Sequence, residues 1–287
     1  MEREAPPIGI FDSGVGGLSV LRAIRKELPS VDVLYFADQG HVPYGPRSVE
    51  QVRAFSEGIT RFLLGLGVRL VVVACNTASA AALHHLRQTF PDVPFVGMEP
   101  AVKPAAEQTQ TGVVGVLATP ATFQGALYAS VVERFATGVT LLDDTCPGLV
   151  GQIEAGELDT PKTRLILETA LRPMRAKGID TVVLGCTHYP FVIPVIQQIV
   201  GPQVRVIDPA PAVARQVARL LGALNDEPVP FAKHPVGVKG TGSSGSSLRF
   251  FTSGEREHFL DLLPQLLGES GLVETVTWSG GEPTLAA

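Results

Sequence analysis

The chain of 287 residues is close to the upper size for one hydrophobic core, so two domains of ordinary size are expected. Its 45% hydrophobic and 18% charged residues are typical of a well-packed globular protein. The formal net charge is -5 and the Lys and Arg residues are scattered, which argues against nucleic acid or an anionic membrane as a partner.

In chain order, short apolar runs alternate with longer amphipathic segments. Residues 1–7 have no apolar core and the run 70–75 is too short to cross a bilayer, so neither a signal peptide nor a membrane span is predicted. A cytoplasmic location is therefore expected. The runs predicted as buried strands are 8–11, 33–36, 70–74, 94–97, 113–117, 139–142, 181–184 and 204–207. The segments predicted as helices are 18–28, 48–66, 78–90 and 212–224.

This alternation predicts an α/β protein with largely parallel sheets. Two pairs of segments also look alike at similar separations: 8–13 resembles 114–119, and 70–77 resembles 181–188. We therefore predict a duplicated unit, with two similar α/β domains and the active site in the cleft between them. The predicted first domain is discontinuous and comprises residues 1–97 plus 208–287, and the second comprises residues 98–207.

Two of the three cysteines occupy equivalent places in this repeat. Cys75 and Cys186 each follow an apolar strand, and ligands bind at the carboxyl ends of strands in open parallel sheets. Each cysteine is predicted to open the next helix, whose N-terminus should lower the thiol pKa and can hold a carboxylate. A single buried cysteine more often serves packing, and Cys146, which has no twin, is predicted to do so. All three are expected to be free thiols.

Several other segments carry weaker signals. The turn Asp12–Gly17 could bind phosphate or carboxylate through backbone N–H groups, or it could simply be a tight turn. Pro43–Pro46 is predicted to be a rigid loop, Gly240–Ser247 a mobile surface loop, and the tail from Gly280 frayed. The sequence contains no H-E-x-x-H and no other close cluster of ligands, so no metal is expected.

Together these motifs resemble the glutamate racemase family, within the aspartate/glutamate racemase superfamily. The resemblance rests on Asp12–Gly17, Pro43–Pro46, Cys75–Ala78 and Gly185–His188, which occur in the family's order and spacing. It covers roughly the first two-thirds of the chain closely, and then residues 248–254. Aspartate racemases resemble the chain less, since they have Glu where His188 stands.

The resemblance implies a racemase that uses no cofactor and has glutamate as its substrate. One cysteine thiolate would remove the α-proton while the other thiol delivers a proton to the opposite face, with Cys75 serving the D-enantiomer and Cys186 the L-enantiomer. The residues implied to assist the thiols are Asp12, Glu154 and His188. The residues implied to bind the substrate are Asp12, Ser13, Tyr44, Gly45, Asn76, Thr77, Thr187 and His188. The family's product, D-glutamate, is used to build peptidoglycan, and its members commonly form homodimers by differing interfaces.

Alternatives from other functional classes remain open at this point. Another cysteine-dependent member of the superfamily, an aspartate racemase or a decarboxylase, could share the fold, although a decarboxylase needs only one of the two cysteines. A non-catalytic amino-acid-binding protein could use the same cleft, but the paired cysteines would then have no role. A racemase does need an acid and a base on opposite faces of its substrate, and two chemically identical thiols can exchange those roles after each turnover.

Overall fold

A computed structural model describes residues 6–226 and 246–286 of the chain. The strands in the described ranges are β1 (Ile8–Asp12), β2 (Val33–Ala37), β3 (Val71–Val73), β4 (Phe95–Val96), β5 (Val113–Ala118), β6 (Thr140–Asp144), β7 (Thr181–Gly185), β8 (Arg205–Ile207), β9 (Leu248–Thr252), β10 (Leu272–Ser279) and β11 (Glu282–Leu285). The helices are α1 (Leu18–Glu27), α2 (Val49–Gly65), α3 (Asn76–Thr89), α4 (Val102–Gln108), α5 (Pro120–Gln124), α6 (Ala126–Phe135), α7 (Leu149–Glu154), α8 (Pro161–Ala176), α9 (Ile193–Val200), α10 (Ala210–Asp226) and α11 (Arg256–Leu266). A 3-10 turn, Tyr189–Val192, precedes α9.

The strands form two sheets. The larger has the order β11-β10-β9-β2-β1-β3-β4, and the smaller has the order β6-β5-β7-β8. All pairings are parallel except that of β10 with β11, so the prediction of an α/β protein with largely parallel sheets is confirmed. The two-sheet topology supports the predicted domain boundaries, 1–97 plus 208–287 and 98–207, which remain a proposal.

The central strands are continuously apolar because helices cover both faces of the larger sheet. Alternate side chains of β1 illustrate this: Ile8 and Ile10 belong to one buried cluster with residues of α1, whereas Phe11 belongs to another with residues of α2 and α3. β1 lies between β2 and β3, so the ends of these strands meet at one edge of the sheet. That edge carries the candidate site.

The C-terminal tail differs from the sequence prediction. The prediction that the chain frays from Gly280 is wrong for residues 282–285, which form β11 and pair antiparallel with β10. The connection is Gly280–Gly281, with φ of +62° and +89°, values that suit a tight two-residue hairpin and that glycine adopts readily. Of the predicted Gly/Ser loop, residues 240–245 lie outside the described residues, whereas Ser246 donates a hydrogen bond from Oγ to the Pro29 carbonyl oxygen (2.9 Å).

Candidate active site

The carboxyl ends of strands from both sheets meet around one cavity with about 290 Å³ of empty space. Cys75 directly follows β3 and Cys186 directly follows β7, and both line this cavity. The remaining lining residues are Ser13, Pro43, Tyr44, Gly45, Asn76, Thr77, Thr119, Val150, Thr187 and His188. The cavity thus brings together the predicted substrate-binding residues apart from Asp12. Asp12 and Glu154 lie behind its wall, in contact with the residues that line it.

Cys75 caps the N-terminus of α3, as the sequence predicts. Its Sγ accepts a hydrogen bond from the backbone N–H of Ala78 (3.4 Å) and lies 3.7 Å from Ser13 Oγ. The predicted lowering of its pKa is wrong, however. Burial, together with the nearby Asp12 carboxyl, raises the pKa of the Cys75 thiol well above its ordinary value and outweighs the N–H of Ala78. The thiol form of Cys75 is therefore favoured at neutral pH.

Cys186 has a different local setting. The helix predicted to open directly after it is instead the 3-10 turn Tyr189–Val192, and α9 begins only at Ile193. Its Sγ lies 3.6 Å from Nδ1 of His188. The two cysteines are thus equivalent in the topology of the sheets but have different partners: a backbone amide for Cys75 and an imidazole for Cys186.

His188 and Glu154 form a buried pair behind Cys186. His188 Nε2 lies 2.6 Å from Glu154 Oε1. Burial alone would lower the pKa of His188, but its contacts with Cys186 and Glu154 raise it well above the ordinary value. Burial alone would likewise raise the pKa of Glu154, but His188 and the Val15 N–H (2.8 Å from Oε1) lower it. An imidazolium here donates Nε2–H to Glu154 and Nδ1–H towards Cys186, so it can stabilise negative charge on that sulfur.

The glycine-rich turn after β1 allows this pair to approach closely. A Cβ on Gly14 would overlap Oε1 of Glu154, and one on Gly16 would overlap His188 Nδ1 and lie 2.6 Å from Thr187 Oγ1. The N–H groups of Gly14 and Gly17 are both donated to Asp12 Oδ2, at 3.1 and 3.0 Å. Two of the N–H groups of this segment are therefore occupied by Asp12, so a tight turn, which the sequence left open, explains the segment better than a binding site for phosphate or carboxylate.

Asp12 is a fully buried carboxyl group at the end of β1. Besides the two glycine N–H groups, it accepts a hydrogen bond from Thr187 Oγ1 at 3.3 Å. Burial raises the pKa of Asp12 from 3.8 to about 6, although the charge of His188 and the Gly17 N–H partly oppose this shift. Asp12 therefore links the two sheets through Thr187.

The raised pKa predicts that Asp12→Asn stabilises the protein near neutral pH. Between pH 3.8 and about 6 the unfolded chain loses the Asp12 proton while the folded chain keeps it, so folded stability falls as the pH rises through this window. The full loss is on the order of 3 kcal/mol. Asn cannot ionise, so the variant should melt at a higher temperature than wild type at about pH 7.5 and at a similar temperature near pH 4. A melting-temperature difference that does not change with pH would contradict this prediction.

The side-chain amide of Asn76 gives the clearest indication that the cavity binds a ligand. In the part of the chain that the structure describes, its buried Nδ2 and Oδ1 both lack a hydrogen-bond partner. An unsatisfied buried polar group of this kind destabilises a protein by about 1–3 kcal/mol. Since Asn76 lines the cavity, a ligand offering both an acceptor and a donor would satisfy it.

Three lining residues were not among the predicted site residues: Pro43, Thr119 and Val150. Thr119 Oγ1 lies 3.0 Å from Thr77 Oγ1 and so connects the two sheets across the cavity. The internal repeat already aligned Thr119 with Ser13, which was the available signal for it. Pro43 precedes Tyr44 in the predicted rigid loop, whereas nothing in the sequence marked Val150.

Within residues 6–226 and 246–286, two kinds of feature are absent. No group of three or more His, Cys, Asp or Glu side chains there could hold a metal ion. No helix in those ranges is long and apolar enough to cross a membrane.

Comparisons with known proteins agree with the geometry. Residues 8–217 match the Asp/Glu/Hydantoin racemase family model. The glutamate racemase of Ectopseudomonas mendocina is 48% identical over 273 residues, which cover 95% of this chain and 99% of that protein. The structure is similar to that of glutamate racemase isoform RacE1 from Bacillus anthracis (TM-score 0.80, 31% identity, 98% of this chain and 100% of that one). It is also similar to Escherichia coli glutamate racemase in complex with L-glutamate and the activator UDP-MurNAc-ala (TM-score 0.79, 31% identity, 99% and 100%).

Proposed function

The chain belongs to the Asp/Glu/Hydantoin racemase family, and we propose that it interconverts L- and D-glutamate with Cys75 and Cys186 as its acid and base. The observation that carries the proposal is that these two thiols, from equivalent strand ends of two different sheets, line one cavity. Racemisation requires proton removal from one face of the α-carbon and proton delivery to the other, which is what a base and an acid on separate walls can perform.

The surroundings of the thiols suit the reaction of L-glutamate. The Cys186 thiolate, beside the His188 imidazolium, takes the α-proton and becomes a thiol. The Cys75 thiol then gives its proton to the opposite face of the carbanion-like centre, and D-glutamate forms while Cys75 becomes the thiolate. The reverse reaction uses the same groups in exchanged roles. Most of the side chains that line the cavity are buried, which limits the access of water and strengthens the electrostatic stabilisation of the transition state.

The polar groups of the cavity suit the two carboxylates and the amine of glutamate. Asn76 offers the unpartnered amide, and Ser13, Thr77 and Thr187 offer hydroxyl groups. The N-terminus of α3 adds backbone N–H groups, which favour a carboxylate. None of the lining residues that the structure describes is Lys or Arg, so amide and hydroxyl donors, the helix N-terminus and His188 would hold the substrate. The E. coli relative, in complex with L-glutamate, supports this choice of substrate.

The proposal extends to the roles of the supporting residues and to the cellular setting. Asp12, Glu154 and His188 assist the thiols. Tyr44, Gly45 and His188 complete the lining of the substrate site, and Asp12 supports it from behind the wall through Thr187. The D-glutamate formed would supply peptidoglycan synthesis. The proposal also includes a cytoplasmic location, which the sequence alone led us to expect, and a homodimer, which the family resemblance implies.

The direct test is polarimetry of L-glutamate with the purified protein and no added cofactor. The optical rotation should fall to zero while the mass of the amino acid stays the same, and the activity should survive EDTA and hydroxylamine. A mass lower by one carbon dioxide would indicate a decarboxylase, and binding without any change of rotation would indicate a binding protein. Activity lost with either reagent and restored by metal or pyridoxal phosphate would contradict the cofactor-free mechanism.

Isotope labelling tests the two-face mechanism. In heavy water, D-glutamate formed early from L-glutamate should carry deuterium at the α-carbon, since Cys75 delivers a solvent-derived proton. The remaining L-glutamate should stay largely unlabelled, because internal return brings back the proton that Cys186 removed. Mass spectrometry of the separated enantiomers at low conversion measures both. Equal early labelling of the two pools would contradict the model, since it would indicate one base serving both faces or thiol exchange faster than turnover.

A further inference from the structure

One buried carboxylate connects the cavity wall to the C-terminal hairpin. Asp38 directly follows β2, and its side chain is fully buried. The Tyr44 hydroxyl donates a hydrogen bond to Asp38 Oδ2 at 2.6 Å. The indole Nε1–H of Trp278, on β10, donates to Asp38 Oδ1 at 2.9 Å. A side chain of the hairpin and a side chain of the cavity wall are therefore held by the two oxygens of a single carboxylate.

Two more groups contact the same carboxylate. Ser253, just after β9, donates its hydroxyl to Asp38 Oδ1 at 2.6 Å, and His41 Nδ1 lies 2.9 Å from Oδ2. With Tyr44 and Trp278, these contacts fix the plane of the carboxylate. Loss of the Trp278 N–H would leave Oδ1 with Ser253 and with His41 Nδ1, which lies 3.0 Å from it. The carboxylate would then be held less tightly, and so would the group on its other oxygen.

The rings around Asp38 pack as one cluster. The imidazole of His41 stacks on Phe55 with ring centroids 4.0 Å apart, and the Trp278 ring meets His41 edge-on at 5.0 Å. Phe55 also contacts Trp278 and Tyr44, each at 5.6 Å. A phenyl ring at position 278 would keep an aromatic contact with this cluster, although it is smaller than indole, so the variant loses the N–H together with part of the packing.

The hairpin is seated directly on α2. A Cβ on Gly58 would lie 2.7 Å from the carbonyl oxygen of Gly281 and 3.0 Å from Cζ3 of Trp278. Backbone of the hairpin and backbone of the helix are therefore in close contact. This contact sets the depth at which the indole enters the cluster.

We propose that Trp278, the only tryptophan in the chain, is a positioning residue for substrate binding. Its N–H orients the Asp38 carboxylate, and the carboxylate holds Tyr44 in the cavity wall. The inference rests on the proposed function, since the ligand whose binding it supports is glutamate. No described residue of β10 or β11 lines the cavity, so the hairpin does not contact the substrate directly. Its hydrogen-bonded connection to the cavity wall runs through Asp38, beside the ring contacts of Phe55.

The test is Trp278→Phe, which keeps an aromatic ring and loses the N–H. The Kd for glutamate, measured by calorimetry, and the KM should both rise, on the order of tenfold, since a hydrogen bond to a charged buried group is lost. The kcat should change little because Trp278 contacts neither thiol. Thr284→Val is the matched control: it removes the hydrogen bond from Thr284 Oγ1 to the Thr277 carbonyl within the same hairpin, and Kd should stay at the wild-type value.

A double-mutant cycle separates positioning from general stability. Tyr44→Phe removes the hydroxyl that Asp38 holds, so adding Trp278→Phe in that background should raise Kd no further. If the increases in Kd from the two substitutions multiply, the inference is overturned, because Trp278 would then act by a route other than Tyr44. The melting temperature of each variant is measured alongside.

A second variant covers the case in which Trp278→Phe does not fold. Gly58→Ala leaves every side chain around Asp38 chemically unchanged but pushes the hairpin, with Trp278, away from α2, so it should also raise Kd with kcat retained. Wild-type Kd in the folded variants would overturn the role of Trp278 whether or not the protein racemises glutamate. If the wild-type protein binds glutamate without turning it over, only the proposed function is refuted. The Kd values of the variants would still show whether Trp278 supports binding.

Discussion

Cys75→Ala and Cys186→Ala should each abolish racemisation, lowering turnover by several orders of magnitude. A single acid/base group contributes about 10²–10⁴-fold, and every turnover requires both thiols. Neither replacement should unfold the protein, since alanine fills most of the space of a cysteine and neither thiol forms a disulfide. Coupled optical assay of each variant in both directions measures the loss.

Cys146→Ala is the matched control. Cys146 is also a free, buried thiol, but it does not line the cavity, and its backbone N–H is donated to Asp144 Oδ1 at 2.7 Å. Alanine keeps that backbone hydrogen bond, so the variant should fold and turn over glutamate normally. A folded but inactive Cys146→Ala, together with normal turnover by Cys186→Ala, would show that the two roles have been assigned to the wrong cysteines.

The same variants test which enantiomer each thiol serves. With only Cys75 present, Cys186→Ala should exchange the α-proton of D-glutamate with heavy water slowly, because internal return delays exchange and label accumulates only over long incubation. It should not exchange that of L-glutamate. Cys75→Ala should show the opposite preference. Exchange of both enantiomers by one variant would contradict a one-face role for the remaining thiol.

The placement of the thiols could be predicted because it depends on local pattern. Apolar runs of strand length fix where β3 and β7 end, and the resemblance of 70–77 to 181–188 places Cys75 and Cys186 at equivalent ends. The hairpin at the C-terminus had a local signal too, a Gly-Gly pair between β-forming segments, and it was missed.

The electrostatics could not be predicted because they depend on contacts between distant parts of the chain. The sequence places Cys75 at a helix N-terminus, which favours the thiolate, but the extent of burial reverses the direction of the pKa shift. Likewise Glu154 and His188 are 34 positions apart, and only the fold shows that they pair behind Cys186. Trp278 carries no motif at all, and its link to Asp38 spans 240 positions.

Gly16→Ala should lower turnover by about 100-fold or more, because the added methyl group occupies space that His188 needs. Its Cβ would overlap Nδ1 of His188 and lie 2.6 Å from Oγ1 of Thr187. The imidazole cannot simply turn aside, since it is buried and its Nε2 is held 2.6 Å from Glu154 Oε1. The nitrogen that faces Cys186 would therefore move, and a displacement of about 1 Å at a catalytic group can reduce the rate about 10²-fold.

Overpacking should also destabilise the variant by about 1–3 kcal/mol. Gly151→Ala is the matched control: it lies in α7, three positions before Glu154, with nothing within 4 Å of the added Cβ. That variant should retain wild-type turnover and gain up to about 1 kcal/mol of stability from the better helix propensity of alanine. Steady-state kinetics and thermal unfolding of both variants measure these effects.

Combining Gly16→Ala with His188→Ala identifies the cause of the lost stability. If the clash with the imidazole is responsible, removing that ring makes room for the new methyl group. The double variant should then be nearly as stable as His188→Ala alone, while both remain poorly active. Independent, additive losses of stability would instead place the strain in the contact with Thr187 or within the turn Asp12–Gly17 itself. Wild-type turnover by Gly16→Ala would contradict the assignment of His188 as the group that supports Cys186.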